Sequence, residues 1–323
     1  MTPEWTARLP AWKNDASNMS FFRFALRRAQ LHCVRIALGH YENFFVLGPL
    51  TPLRFTPHLA ALYAFSRYAD DLADEITDDR EGLKRLESWR QELRNTLEGH
   101  PSHRITKALE CTVTRFHLPP QLLFDLLDAF QQDLKINRYD TFDTLRDYTR
   151  RSADPVGRLV LRIYGYNDPE MDVLSDFICT GLQLANFCQD VGDDARRNRI
   201  YIPLDECRRF EVDPVEILDC TPSPRLEGLL RFQIVRAYKY LLAGLPLAER
   251  LEGRLKMSVR LFALGGLQIL DTLERDPLAV LHCRVRLNAR QKIGALLTSF
   301  NRLKQFPMGE PKAPARPISE KQK

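Results

Sequence analysis

The chain has 323 residues, 44% hydrophobic and 28% charged, which are ordinary proportions for a globular protein. They exclude a fibre and exclude disorder for the bulk of the chain, and the length allows one large domain or two small ones. Glycine is scarce, at 15 residues, and the absence of G-x-G-x-x-G and G-x-x-x-x-G-K-[ST] argues against a glycine-cradled nucleotide site.

The net charge of +5 is unevenly spread, with 14 Lys/Arg against 5 Asp/Glu in residues 231–305. A basic C-terminal third suits a phosphorylated ligand or an anionic membrane surface, and equally a solvated helix face. No recognised binding signature accompanies the charge, so nucleic acid is not an expected partner. Seven cysteines without a C-x-x-C argue against a disulfide framework or a zinc site and for a reducing compartment. The first fifteen residues have no apolar core of a secretory signal. The longest apolar stretch, about Leu261–Leu270, is half of the ~20 residues a transmembrane segment needs. The expected location is therefore the cytoplasm, with the basic third offering peripheral contact at the inner face of the cytoplasmic membrane.

In chain order, residues 1–18 are polar and irregular, 19–305 read as one all-helical domain, and 306–323, with four prolines, read as a disordered tail. Four helix starts pair a capping residue with proline: Thr56-Pro57, Asp168-Pro169, Asp213-Pro214 and Ser223-Pro224. There the side chain accepts from exposed amides and proline forfeits no hydrogen bond. Asp213 also has Glu216 at capping-box spacing. No run of alternating β-branched residues marks a strand.

The segment His58–Ile76 carries an apolar stripe of Leu62, Phe65, Ala69, Leu72, Ala73 and Ile76. Asp70 and Asp74, at i and i+4, stack beside it on a face shared with Tyr63 and Arg67, while Asp71 and Glu75 are expected to turn toward solvent. About 120 residues later, Gly181–Pro203 places Asn186, Asp190 and Asp194 at i, i+4 and i+8, with Gln183 and Asp193 on the same face. Leu184, Ala185, Phe187, Cys188 and Val191 cover most of the remainder. A narrow polar stripe on an apolar helix belongs at a shared cavity, because unpaired carboxylates do not sit in a dry core. Two such helices face to face would hold four carboxylates that need cations. Oxygen donors of this kind suit Mg²⁺, which completes its shell with water and substrate phosphate. Arg196, Arg197 and Arg199 follow directly and suit a diphosphate. The chemistry implied is metal-assisted ionisation of a diphosphate ester, leaving a carbocation in an apolar pocket. Phe44, Tyr63 and Tyr148 are candidate aromatic faces toward that cation, each weighed against a plain packing role.

D-x-x-x-D on one helix, N-x-x-x-D-x-x-x-D followed by R-x-Y on another, and the stretch LYAFSRYADDLAD together resemble the squalene/phytoene synthase family over about residues 25–300. The resemblance implies an all-α isoprenoid-synthase fold, a trans-prenyltransferase-like helical bundle around a central apolar cavity, using Mg²⁺ and prenyl diphosphates. It implies metal ligation by Asp70, Asp74, Asn186, Asp190 and Asp194, and diphosphate or substrate contacts by His40, Arg67, Gln183, Arg199 and Tyr201. His40–Phe44 and Arg151–Gly157 resemble the branch of the family that makes hydroxysqualene for hopanoids. Phe45 and Asp154 depart from that branch, where proline and asparagine are expected. The branch implies Mg²⁺-dependent ionisation of presqualene diphosphate, rearrangement and capture of water, without NADPH. The alternative is a head-to-head condensing synthase (presqualene diphosphate, squalene or phytoene synthase) acting on farnesyl or geranylgeranyl diphosphate. A non-enzymatic scaffold is disfavoured, because both acidic motifs are complete.

Overall fold

The computed structural model describes residues 16–39, 48, 50–74, 79–282 and 284, with only the backbone described at 16–23, 74 and 79. The helices in order are α1 (Ala16–Gly39), α2 (Thr56–Asp74), α3 (Asp79–Leu97), α4 (Arg104–Phe116), α5 (Pro120–Asp133), α6 (Phe142–Ser152) and α7 (Asp154–Ile163). They continue with α8 (Pro169–Gln189), α9 (Val191–Arg196), α10 (Leu204–Arg209), α11 (Pro214–Leu218), α12 (Pro224–Gly244), α13 (Pro246–Arg250) and α14 (Gly253–Arg275), and a 3₁₀ turn at Pro277–Leu281. Among the described residues the only β pairing is an isolated parallel bridge between Arg138 and Ile200. No described helix is long and apolar enough to cross a membrane. The six described cysteines are all free thiols.

Three of the four expected caps form. Asp168 accepts from the Glu170 amide, Ser223 accepts from the Leu226 amide, and Asp213 with Glu216 closes a capping box. Thr56 does not cap. Its hydroxyl donates back to the Pro52 carbonyl at 3.3 Å, because a turn over Pro52–Phe55 already leads the chain into α2. The irregular N-terminal segment is also shorter than expected, since α1 begins at Ala16 rather than after residue 18. The remainder of that segment and the 306–323 tail lie outside the described residues.

Among the described residues two large apolar cores divide the bundle, with a smaller third around Leu161, Met171, Ile178, Leu247, Leu251 and Leu255. One lies among α1, α2, α3, α4, α5 and α7, around the buried Phe65, Leu86, Leu93, Leu109 and Leu123. The other surrounds α8, α12 and α14. The predicted stripe of α2 faces the first core: Leu62, Phe65, Ala69 and Ala73 are buried, Leu72 is partly so, and Ile76 lies outside the described residues.

Glycines set how closely α8 and α12 approach. A Cβ on Gly181 would stand 2.8 Å from the Leu241 backbone nitrogen, and one on Gly244 would stand 2.8 Å from the Ile178 nitrogen. Gly181→Ala must push the helices apart, and overpacking of this kind costs ~1–3 kcal/mol. A lowered Tm for Gly181→Ala, with Gly165→Ala as a comparison where a Cβ meets nothing within 4 Å, checks the expectation; the Gly165 variant bears only the strain of a positive φ (+90°).

On its other side α8 is tied to α7 by charge. Arg158 Nε donates to Asp176 Oδ1 at 2.8 Å, and Arg162 forks onto Asp172 at 2.9 and 2.5 Å. Residues four later on α7 thus meet residues four earlier on α8, the register of an antiparallel pair. Beneath them Asp154, one of the two departures noted above, is buried and accepts from Arg146 at 2.8 Å and from Thr180 at 2.7 Å. Burial and the nearby Asp176 push its carboxyl up to about 6, against the pull of Arg146. Helix α8 is therefore held from both flanks before its C-terminal end reaches the acidic row.

Candidate active site

The row Asn186, Asp190, Asp194 survives a change of helix. Regular helix is interrupted at Asp190, where the backbone departs from helical values (φ −103°, ψ 11°). Even so, the Asp190 amide bonds to the Asn186 carbonyl at 2.9 Å and the Asp194 amide to the Asp190 carbonyl at 2.7 Å. The i to i+4 ladder carries the row across the α8–α9 junction. Leu184, Ala185, Phe187, Cys188 and Val191 are buried around it as expected, while Gln183, Asn186, Asp190 and Asp194 are half-buried.

After α9 the chain turns through Asn198, whose φ of +56° is one that asparagine tolerates well. Arg138 holds the turn by donating to the Asn198 carbonyl and side-chain oxygen, both at 2.6 Å. Ile200 then bonds to the Asn137 carbonyl at 3.0 Å and is buried. In extended backbone, residues either side of Ile200 point to the opposite face. The R-x-Y spacing thus sends Arg199 and Tyr201 the same way, onto the end of α5. Arg199 reaches the Asp133 carbonyl at 3.5 Å, and the Tyr201 hydroxyl donates to Asp133 Oδ1 at 3.3 Å.

Asp133 also accepts from the Tyr148 hydroxyl at 2.8 Å, so one carboxylate collects two phenols and lies beside an arginine. The rings form a cluster: Tyr201 stacks on Phe187 at 4.1 Å with 8° between planes, and Tyr148 lies 5.9 Å from Tyr201 and 5.6 Å from Tyr139. Burial, with Asp133 adding to it, pushes the Tyr148 and Tyr201 phenols well above their ordinary range. Both therefore stay protonated as donors. Sequence reasoning does not single out Asp133. The available signal is its register, seven residues after Leu126 and three after Phe130, which places an acid on the apolar stripe of α5. Tyr148→Phe takes a donor from a partly buried carboxylate and should cost ~1–3 kcal/mol, read as a lower urea midpoint with unchanged m-value.

Electrostatics in the row fit a cation. Burial and the neighbouring Asp190 push the Asp194 carboxyl up to about 7, opposed by Arg199 and Arg197. One cation already sits on Asp190: Arg284 Nε lies 2.7 Å from its Oδ1. Among the described residues no group of three or more His, Cys, Asp or Glu is placed to hold a metal. On α8–α9 the donors are two carboxylates and the Asn186 amide, a hard-oxygen set suited to Mg²⁺ when water and phosphate complete it.

On α2, Asp70 is half-buried and accepts from Arg67 at 3.1 Å, and Tyr63 is close enough to Arg67 to interact electrostatically with it. Asp71 departs from its expected place toward solvent. It lies 2.6 Å from Arg67 and its side chain is 29% exposed, against 38% for Asp70. Arg67 is long enough to draw both neighbours in, a pull that the helical phase of Asp71 does not reveal. The Asp74 side chain, His40 and Phe44 lie outside the described residues.

The sites thus fall into two groups. Tyr148, Arg199 and Tyr201 meet at Asp133, with Asp194 coupled to Asp190 and Arg199, while Tyr63, Arg67 and Asp70 form the second group on α2. The two helices are joined through α7, which packs on both, and α5, which packs on α2 and α7. Arg196 is engaged by Asp193 at the surface rather than turned with Arg199. A cleft of about 290 Å³, mouth included, borders the aromatic cluster and is lined by Leu184, Phe187, Cys188, Tyr201, Ile202 and Gln233 among others. It has no carboxylate in its wall, so it is a packing cleft and not the acidic site.

Comparison with known proteins bears on most of the chain. A squalene/phytoene synthase family model matches residues 38–291. The chain is 31% identical over 277 residues to a phytoene synthase of Arthrospira platensis, covering 82% of this chain and 90% of the relative. It is 39% identical over 170 residues to a hydroxysqualene synthase of Zymomonas mobilis, covering 52% of this chain and 57% of the relative. Its fold superposes on a squalene synthase, HpnC, from Alicyclobacillus acidocaldarius with a TM-score of 0.74 and 35% identity, covering 78% of this chain and 95% of that one. The all-helical architecture is thus the isoprenoid-synthase fold that the acidic motifs imply, and the chain belongs to the squalene/phytoene synthase family.

Proposed function

We propose that the chain converts presqualene diphosphate and water to hydroxysqualene and diphosphate. The observation that carries the ionising chemistry is the coupled pair Asp190–Asp194, half-buried beside Arg199 and continued by the Asp133 aromatic cluster. The hydroxysqualene synthase relative supports the branch. Asn186, Asp190 and Asp194, with Asp70 and Asp74 from α2, would hold Mg²⁺, which when bound neutralises charge on the departing diphosphate. Arg199 and Arg67 bring fixed positive charge for the same anion. The ester C–O bond breaks with its electron pair leaving on diphosphate. The cyclopropylcarbinyl cation rearranges, and one water oxygen forms the new C–O bond as its proton passes to solvent or diphosphate. The half-buried Tyr201, with Phe187 and Tyr148 packed behind it, would present an aromatic face toward a cation and help to exclude bulk water. No redox partner enters this balance, so NADPH is not required. Long hydrocarbon substrate and product partition into lipid, and the reading accordingly includes work at a membrane surface.

A head-to-head condensing activity is the second reading, favoured by the phytoene synthase relative, which aligns along more of the chain. Incubation with labelled presqualene diphosphate, Mg²⁺ and ¹⁸O-water, with and without NADPH, separates the two. Hydroxysqualene carrying one heavy oxygen at equal rates in both supports water capture. Diversion to squalene by NADPH, or turnover of farnesyl or geranylgeranyl diphosphate with none of presqualene diphosphate, overturns it.

A further inference from the structure

Helix α1 carries a feature that the acidic site does not use. Its 24 residues include Arg23, Arg27, Arg28 and Arg35 and not one Asp or Glu. The inner face, with Ala29 and Cys33 fully buried, seals the first core against α2 and α4. The outer face leaves Phe24, Leu31 and Leu38 at 60%, 58% and 65% exposure. They recur every seven residues, two helical turns, so they fall in one line about 20 Å long. Arg27, Arg28 and Arg35 are exposed in the same line, and the Arg28 guanidinium lies over the Phe24 ring at 5.8 Å. Among the described residues no carboxylate pairs with any of the three.

In the basic C-terminal third, much of the charge on the described residues is paired within the protein. Arg231, Arg236, Arg250, Lys256 and Arg260 are engaged by Glu227, Glu206, Glu170 and Glu249. Among the described residues, α1 is where three exposed arginines run in line with three exposed large apolar side chains, at the other end of the chain from the surplus in the sequence.

We propose that the outer face of α1 docks the protein on an anionic phospholipid bilayer. Arginines interleaved with Phe and Leu on one helix face match a headgroup region, where apolar side chains enter the acyl boundary and guanidinium groups meet phosphate. A second copy of the chain is a poor occupant, since a symmetric contact would set arginine against arginine. The choice of lipid rests on the reading that the chain handles a long prenyl substrate. Its test does not, because binding is measured without substrate.

The test is co-sedimentation of the full chain with phosphatidylcholine vesicles and with vesicles containing phosphatidylglycerol, at low and high salt, with folding checked by circular dichroism. Wild type should bind the anionic vesicles at least tenfold better, and salt should weaken it. Each basic residue near such a surface is worth about fivefold, so Arg27→Gln/Arg28→Gln/Arg35→Gln should lose roughly a hundredfold. Phe24→Ser/Leu31→Ser/Leu38→Ser should also lose most binding, whereas Arg254→Gln/Arg275→Gln, exposed elsewhere, should keep it. The proposal is overturned if wild type binds neither vesicle. It is also overturned if the α1 variants bind like wild type, if the remote pair loses as much, or if the serine variant instead dissolves a dimer. Anionic binding unaffected by the α1 changes would leave the membrane reading standing and remove this face from it, and turnover in detergent reports separately on the catalytic reading.

Discussion

Asp190→Asn and Asp74→Asn are each expected to lower kcat by at least ~10²-fold, the usual loss when one preorganised electrostatic element is removed from a reacting site. Exhaustive chelation should abolish turnover, and added Mg²⁺ should restore it. The two substitutions reach the site from different helices, so equal losses would show that both rows serve one reaction. Stability should change little for Asp190→Asn. The variant gives up the 2.7 Å ion pair with Arg284, and it removes the charge that helps to push Asp194 up to about 7. Ion-pair loss and relief of repulsion oppose each other, whereas the catalytic loss has no such offset. Asp71→Asn is expected to cost less, about tenfold, because Arg67 keeps its contact with Asp70. Steady-state kinetics on the three variants decide the matter. Full activity after chelation, or Asp71 as critical as Asp190, would place the ionising centre elsewhere.

The fold is legible in the sequence because its signals are local. Pro after a capping residue, a 3.6-residue apolar period and two acidic repeats at four-residue spacing each depend on neighbours within two turns; α8 and α12 follow them closely, and α2 follows all but the cap. The R-x-Y motif is legible as a pair but not as a geometry. That Arg199 and Tyr201 face the same way depends on Ile200 meeting Asn137, some sixty residues earlier. Asp133 stays hidden for the same reason: its partners Tyr148 and Tyr201 come from α6 and from the loop after α9. Asp71 shows the complementary limit. Helical phase places its Cα correctly, but the charge of Arg67 and the reach of its side chain decide where the carboxylate rests. Surplus charge misleads in a similar way, since among the described residues Arg231, Arg236, Arg250, Lys256 and Arg260 find carboxylates while Arg27, Arg28 and Arg35 of α1 do not.

The acidic row should also write itself into the pH dependence of stability. Asp194 starts from an unfolded value of 3.8 and is pushed up to about 7 by burial and Asp190. Between those values the folded protein holds a proton that the unfolded chain has released. Linkage then requires stability to fall as pH rises through that window and to level off above it. The contribution is on the order of 2–4 kcal/mol at pH 8 relative to pH 4, since a tenfold change in proton affinity is worth about 1.4 kcal/mol. Asp154, pushed up to about 6, acts in the same direction, so the informative quantity is the difference between wild type and Asp194→Asn. The variant should lose most of the decline contributed by Asp194 while keeping that of Asp154. A divalent cation on the row favours the ionised carboxylate, so Mg²⁺ should raise the Tm of wild type more at pH 8 than at pH 5.5. In Asp194→Asn that gain should shrink, because one charged ligand is gone. Denaturant titrations across pH, with and without Mg²⁺, measure both effects. Parallel pH profiles for wild type and variant would mean that the carboxylate is solvated rather than buried beside Asp190, and the case for a cation on this row would fall with it.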